Sequence, residues 1–479
     1  MKTPILGSSY VARSINAADA RMVNLFPEIV PEAGKEPAFL NRAPGLNLLN
    51  TIGNGPIRGL WAFSSNDGTG FVVSGTQLFK INNAYTPTLI GTVAGTGPVS
   101  MADNGTQLFI AANGPSYIYN ANTNAFGQIT DPDFPGAVTV AYLDGYFVFN
   151  EPNSQKMWVT ALLDGTSIDP LEFASTEGSP DGLVAVIANF REVWAFGTNS
   201  IEVWSDTAAL DFPLERIPGA FNELGCAAPY SIAKMDNGLF WLGRDRRGQG
   251  MVYRANGYAG QRISTHAVEW QIQQYADITD AIAYTYQQDG HSFYVLIFPT
   301  ANTTWVYDVA TQAWHERAGF TNGQFTRHRS NCQMSFNNKI VVGDFENGNI
   351  YSFDLEDYSD NGQIQKWLRS WRALPTGQNN LKRTAHHSLQ LDCESGTGLN
   401  LGQGSDPQVM LRWSDDGGHT WSNEHWVSIG KIGEYYRRAI WRRLGMTLKL
   451  RDRVYEVSGT DPVKIAIMGA ELILSPTNA

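Results

Sequence analysis

Three cysteines in 479 residues, Cys226, Cys332 and Cys393, are too few and too far apart for a disulfide framework. None stands in the CxxC spacing of a structural zinc site, so no metal is expected. Charge is also scarce: 17% of residues are charged, and 35 Lys/Arg against 46 Asp/Glu leave a net charge of −11. A general nucleic-acid binder would normally be basic over its binding face, and this chain is not. Apolar runs such as LIGTVAG and FYVLIFP fall well short of the roughly 18 residues that cross a bilayer. The opening MKTPILGSSYVARS has no apolar core of the signal-peptide kind, so the chain is expected to be made and folded in a cytoplasm. There is no GxSxG, HExxH or P-loop, and Gly398–Gly404 opens no helical pattern that would cradle a phosphate.

Glycine and aromatics are plentiful, with 47 Gly, 14 Trp, 19 Tyr and 23 Phe. That combination points to many short strands joined by tight turns, and a 43% hydrophobic chain of this length can bury a large core. The charge is unevenly spread. Residues 1–363 carry 20 Lys/Arg against 35 Asp/Glu, whereas residues 364–453 carry 14 against 8. A boundary near residue 363 follows.

Residues 1–55, with the proline-rich VNLFPEIVPEAGKEPAFLNRAPGL, read as an extended arm that needs a surface to lie against. Residues 56–362 repeat short apolar strands separated by Gly, Asn and Asp at spacings of roughly 35 to 50 residues, the range of propeller blades. GTQLF occurs twice, at Gly75–Phe79 and Gly105–Phe109. Seven units fit between Ile57 and Asp354, with six or eight as alternatives, and a sandwich series or a β-solenoid would give the same local signals. One helical stretch, THAVEWQIQQYADITD, sits between two units. Residues 363–479 read as a β-sandwich, in which Ile440, Arg442, Leu444 and then Met446, Leu448, Leu450 alternate as on half-buried strands. The fold class expected is therefore all-β, a propeller on a sandwich platform.

Ser414-Asp415-Asp416-Gly417-Gly418-His419-Thr420-Trp421 is an Asp-box, whose Ser414, Asp416, Gly418 and Trp421 suit a self-bonded turn anchored by an indole. Such boxes recur in sialidases, and Glu215-Arg216-Ile217-Pro218 partly mimics the sialidase R-I-P signature. A propeller glycoside hydrolase of sialidase type is thus the alternative function, although only one full box is present and it lies outside the blades. His386-His387 and His419, His425 have no spaced Cys or carboxylate companions and read as solvated or strand-face residues. Asp131/Asp133 and Asp415/Asp416 lie in turns where Asp is preferred without catalysis. No catalytic residue and no cofactor are nominated. Arg437, Arg438, Arg442 and Arg443 flank Trp441, followed by Lys449, Arg451 and Arg453. On strands, adjacent arginines would face opposite ways, half of them toward acidic neighbours. The stretch reads as a subunit interface in preference to a DNA contact.

Both ends of the chain carry further motifs: Asn24-Leu25-Phe26-Pro27-Glu28, Ala43-Pro44-Gly45-Leu46 and Ile57-Arg58-Gly59-Leu60, then RWSDDGGHTWS and GKIGEYYRRAIWRRLG (Arg412–Ser422 and Gly430–Gly445). With SPDGL (Ser179–Leu183) and FGTNSIEVW (Phe196–Trp204), these strings resemble the packaged-DNA stabilisation proteins of short-tailed phages, the tail hub or nozzle family. The resemblance implies a virion tail protein that forms a ring, with six copies expected, below the portal and its adaptor. It implies that the ring continues the channel for double-stranded DNA, retains the packaged genome without sequence-specific binding, and docks a tail needle and tailspikes or fibres. On this reading acidic residues of 1–363 line the lumen, and the arm packs on the C-terminal module. Deleting residues 1–50 is then expected to block assembly while leaving the blades folded.

Overall fold

In this computed structural model the described residues are 1–477 except 16, 33, 66–67, 177, 180, 210–211, 245–247, 249, 375–382 and 449–452. The chain's frequent Asn, Asp and Gly are explained by its turns. Asp144-Gly145, Asp236-Asn237, Asp289-Gly290 and Asn337-Asn338 all take positive φ, the left-handed region these residues enter at least cost. Each such turn reverses a short strand into an antiparallel neighbour.

Seven sheets built on four-stranded meanders follow, with inner strands Ile57–Ala62, Ser100–Asp103, Val140–Leu143, Leu183–Asn189, Ala233–Met235, Ile282–Gln288 and Ser330–Phe336. Successive inner strands lie side by side, except that the fourth meets the fifth blade at the short helical turn Pro229–Ser231, and the last packs on the first, so the sheets close into a seven-bladed propeller. Between adjacent blades run apolar layers rich in aromatics. Phe109, Phe147, Phe149 and Trp158 fill one, while Phe196 and Trp241 fill another. The helix His266–Gln273, capped by Thr265, covers the junction of the fifth and sixth blades through Val268 and Ile272.

The seventh blade is completed from the other end of the sequence. Gly45–Thr51 pairs antiparallel with Asn349–Asp354, so the segment grouped with the arm by sequence supplies the blade's fourth strand. The reason is burial: Leu46 and Ile52 are fully covered by the sixth, seventh and first blades. Removing residues 1–50 would therefore strip this strand, which corrects the expectation that the blades survive that deletion.

The sandwich also draws on both chain ends. One sheet has the order Ala439–Arg442, Thr384–Cys393, Ala466–Pro476, Ala38–Arg42, Leu25–Ile29, with Lys2–Thr3 also paired to Ala466–Pro476. The other runs His425–Ser428, Gln408–Ser414, Val454–Gly459, Trp367–Arg372, then the arm strand Met22–Val23. Val23 meets Glu316 of the sixth blade in parallel register, making one sheet continuous from propeller to sandwich. Leu25, Leu40, Trp371, Leu389, Leu411, Trp441 and Tyr455 fill the space between the two layers.

One expected strand is shorter than its pattern. Only Ala439–Arg442 is extended; Arg443 turns at φ +62°, leaving Met446 and Leu448 exposed rather than half-buried, and Leu450 lies outside the described residues. The buried side of this strand is Ala439 and Trp441, the opposite parity from Ile440 and Arg442.

Candidate assembly interface

The arm motifs act as ties between the two bodies. Asn24 adopts φ +53° and is fully buried; its Nδ2 donates to the carbonyls of Ala318 and Lys366, each at 2.8 Å, and its Oδ1 accepts from Ala318 N at 3.0 Å. The hairpin that follows the sixth blade, the arm and the residue leading into the strand Trp367–Arg372 thus meet on one amide. Pro27 lies buried in its strand opposite Leu40, and Glu28 accepts from Asn41. The Pro44 carbonyl accepts from Gln365 at 3.0 Å. Gly45 has no room for a side chain, because a Cβ would stand 2.4 Å from the Ser359 carbonyl. Arg58 begins the first inner strand and donates to the carbonyls of Gly75, Val93, Ala94 and Gly97.

Two further buried arginines carry structure that the sequence reading missed. Arg42 donates to four carbonyls, of Asp461, Val463, Tyr358 and Gln365, and to the Gln365 amide oxygen. Burial pulls its guanidinium down to about 10. Arg369 bonds the carbonyls of Ile5, Ser8 and Ala20. An isolated Arg in a strand pattern reads as surface, and no local signal marks these two.

The Asp-box is a closed turn. Ser414 Oγ donates to Asp416 Oδ1 at 2.6 Å and accepts from Gly418 N at 2.8 Å, while Asp416 also accepts from His419 N, Thr420 N and the Thr420 hydroxyl. Those bonds, led by the Ser414 and Thr420 hydroxyls, hold the Asp416 carboxyl well below the usual range. Trp421 donates to the Gly418 carbonyl and lies half-buried under the Arg412 guanidinium, 4.6 Å from its ring centre. The neighbouring Asp415 forms a two-point ion pair with buried Arg453, at 2.6 and 2.8 Å. Arg453 also donates to the carbonyls of Leu444 and Met446. The box thereby fixes the path of the arginine-bearing loop.

That loop presents the least paired surface of the sandwich. Arg437, Arg438, Arg442 and Arg443 are all exposed, and among the described residues none has a carboxylate partner. The expectation that at least half would pair with acidic neighbours fails because the first pair precedes the strand and the φ +62° turn redirects the last. Trp441 points inward instead, its Nε1 donating to the His425 carbonyl. Lys449 and Arg451 lie outside the described residues. Tyr435 and Tyr436, 76% and 83% exposed, stand beside these cations, with Ile432 and Trp426 nearby in sequence and also exposed. His425–Ser428 and Ala439–Arg442 touch each other and are the outermost strands of their two sheets, so both sheets end unpaired on this side. His386, expected on a solvated or strand face, faces inward between Thr384 and the Tyr455 hydroxyl, while His387 is exposed.

The axial cavity of the propeller, about 630 Å³, is where a propeller hydrolase would hold substrate. Its lining has one carboxylate, Asp103, already engaged by Trp61 Nε1, Ser64 and Gly105 N. Arg216 of the R-I-P-like string lies on an outer strand and pairs with Glu202 at 3.6 Å, away from that cavity.

Comparison with known proteins follows the same division. Residues 1–358 match the family described as Bacteriophage P22 Gp10, β-propeller, and residues 366–474 the one described as Bacteriophage P22 Gp10, β-sandwich. The chain is 22% identical over 445 residues to the tail hub protein gp10 of Salmonella phage P22, covering 89% of this chain and 90% of that one. Among solved structures, the N-terminal domain of Nup159 aligns at TM-score 0.40 with 8% identity, over 68% of this chain and 97% of that one. Virginiamycin B lyase of Staphylococcus aureus aligns at 0.42 with 12% identity, over 64% and 97%.

Proposed function

The chain belongs to the P22 gp10 tail hub family, structural proteins of the phage virion tail, and from that premise we propose that it assembles into a ring through the open edge of its sandwich. The observation that carries this reading is the cluster of four unpaired arginines and two exposed tyrosines on a side where both sheets end. Exposed guanidiniums beside aromatic rings suit a protein interface, where Arg and Tyr supply much of the binding energy. A second copy or the adaptor ring above it is the partner, and six copies is the number carried over from the family. The acidic residues of 1–363 face the lumen, where a wall of weak affinity lets duplex DNA slide. The needle and spikes or fibres dock on the outer parts of the ring, and the chain acts without catalysis.

Replacing Arg437, Arg438, Arg442 and Arg443 together by Glu tests the interface. The expected outcome is a folded monomer by native mass spectrometry, and particles that leak DNA when this variant is the sole copy. A tail reconstruction in which these arginines face the DNA channel would overturn the assignment. Release of sugar from sialosides by the purified chain would restore the hydrolase reading.

A further inference from the structure

Ser64, Asp103, Phe190 and Lys234 line one end of the axial cavity, where the first and second inner strands are tied to one another as they leave it, and likewise the third and fourth. Ser64 reaches Asp103, Ser65 Oγ donates to the Gly105 carbonyl, and Arg191 pairs with Asp144 at 2.8 Å. Where five other blades use Asn104-Gly105, Asp144-Gly145, Asp236-Asn237, Asp289-Gly290 and Asn337-Asn338, the fourth blade uses Phe190-Arg191, with Phe190 at φ +55°. A bulky side chain in the left-handed region is strained, and strain of this kind is retained where something else depends on the residue. Phe190 contributes little to the core, for it is 63% exposed on the cavity rim. Leu163 repeats the same choice at φ +61°, and Leu162 and Leu163 are each 60% exposed next to the Asp144-Gly145 turn, to which Arg191 is paired. Trp61 and Tyr142 continue the apolar surface into the cavity.

The polar groups of this mouth narrow the chemistry. Asp103, the one carboxylate of the described lining, is engaged by Trp61, Ser64 and Gly105, so the lining offers no free carboxylate to sugar hydroxyls. The exposed cation is Lys234, whose ammonium lies 5.6 Å from the Phe190 ring centre and which has no carboxylate partner among the described residues. The patch of Phe190, Tyr142 and Trp61 beside one cation without a carboxylate partner fits a protein segment better than a glycan. We propose that this mouth is a peptide-docking site, taking an extended segment of a partner protein in which an apolar side chain stands beside a carboxylate. The apolar side chain enters between Phe190, Tyr142 and Trp61, and the carboxylate meets Lys234. This surface shares no residue with the sandwich edge and does not depend on the ring interface.

A random 12-residue peptide library and a glycan array, each presented to the full-length protein, test the proposal. The expected result is enrichment of peptides with a large apolar residue next to Asp or Glu. Phe190→Asn should bind a selected peptide at least tenfold more weakly while melting no lower than the wild type, because Asn suits the positive φ. Lys234→Gln should lose the preference for Asp/Glu over Asn/Gln, and Lys234→Arg should keep it. No enrichment, a Phe190→Asn protein that binds as before or melts lower, or glycan retention blocked by Phe190→Asn without peptide enrichment would each overturn it.

Discussion

The propeller and the sandwich solve the same problem, closing β-structure against solvent, with opposite use of the sequence. Six of the seven blades are built from consecutive strands, so their contacts are local and their polar groups are satisfied by turns a few residues away. The sandwich takes strands from residues 2–42 and 367–476 in both sheets, and satisfies its interior with arginines that reach carbonyls more than 300 residues distant. Local closure leaves each of these blades dependent only on its immediate neighbours, whose apolar layers it shares, whereas the sandwich cannot form until both chain ends are present. The seventh blade stands between these regimes, three strands local and one borrowed.

The sharpest way to break that contrast is truncation. A protein lacking residues 1–44 should lose the sandwich and keep a protected propeller, while one lacking residues 1–51 should lose protection in the seventh and first blades as well. Region-resolved hydrogen exchange distinguishes the two, and equal protection in both truncations would contradict the borrowed-strand account.

Next in size is Arg42→Met. It leaves four buried carbonyls without their donor, and a loss of about 3–5 kcal/mol is expected for such a site. Denaturant unfolding followed by exchange in Ala38–Arg42 and Ala466–Pro476 should show the loss there first.

Acid offers a finer test. Burial holds the His328 imidazole down to about 3 and His315 well below its ordinary value, so both stay neutral in the fold. Their contribution is present above the unfolded value near 6.5 and is lost as pH falls below it toward 3. Asp360, which burial pushes up to about 7, works the other way between its ordinary value and 7. Two histidines against one aspartate predict a sixth and seventh blade that weaken from pH 6.5 to 4, by at most about 1.4 kcal/mol per pH unit for each net group. His328→Gln should flatten the profile measured by exchange in Ser330–Phe336.

The smallest effect on stability is expected at the interface. Arg442→Glu with Arg443→Glu should move unfolding by no more than about 0.5 kcal/mol, since neither side chain is paired, yet reduce ring formation measured by native mass spectrometry.

The unequal legibility of the two regions has the same origin. Seven units were visible because each hairpin announces itself with Asn, Asp or Gly between short apolar runs. The repeated GTQLF was a hairpin signal rather than a blade register: Gln77–Ile81 is the third strand of its blade and Gln107–Ala111 the second of the next. GLNLLNT at 45–51 has no turn linking it to its partner 300 residues away, so its place in the seventh blade was not visible. Arg42 and Arg369 look like any surface arginine until their carbonyl acceptors are assembled around them. The Asp-box was readable as a turn, but its pairing through Asp415 to Arg453 required the sheet to bring the two together. Arg437–Arg443 was readable as a basic segment, and the exposure of its four arginines followed only from where the strand begins and from the backbone turn at Arg443.

The chain leaves the sandwich at Pro44 and returns at Gln365, and these two residues are joined by one hydrogen bond of 3.0 Å. Everything between them is the propeller and its closing hairpins. In evolutionary terms the blades are a cassette carried on a loop whose ends meet. An excursion of this length therefore begins and ends at one point of the sandwich, so a blade can lengthen or shorten without moving the two residues from which it is hung, much as a tool head is changed on a fixed shaft.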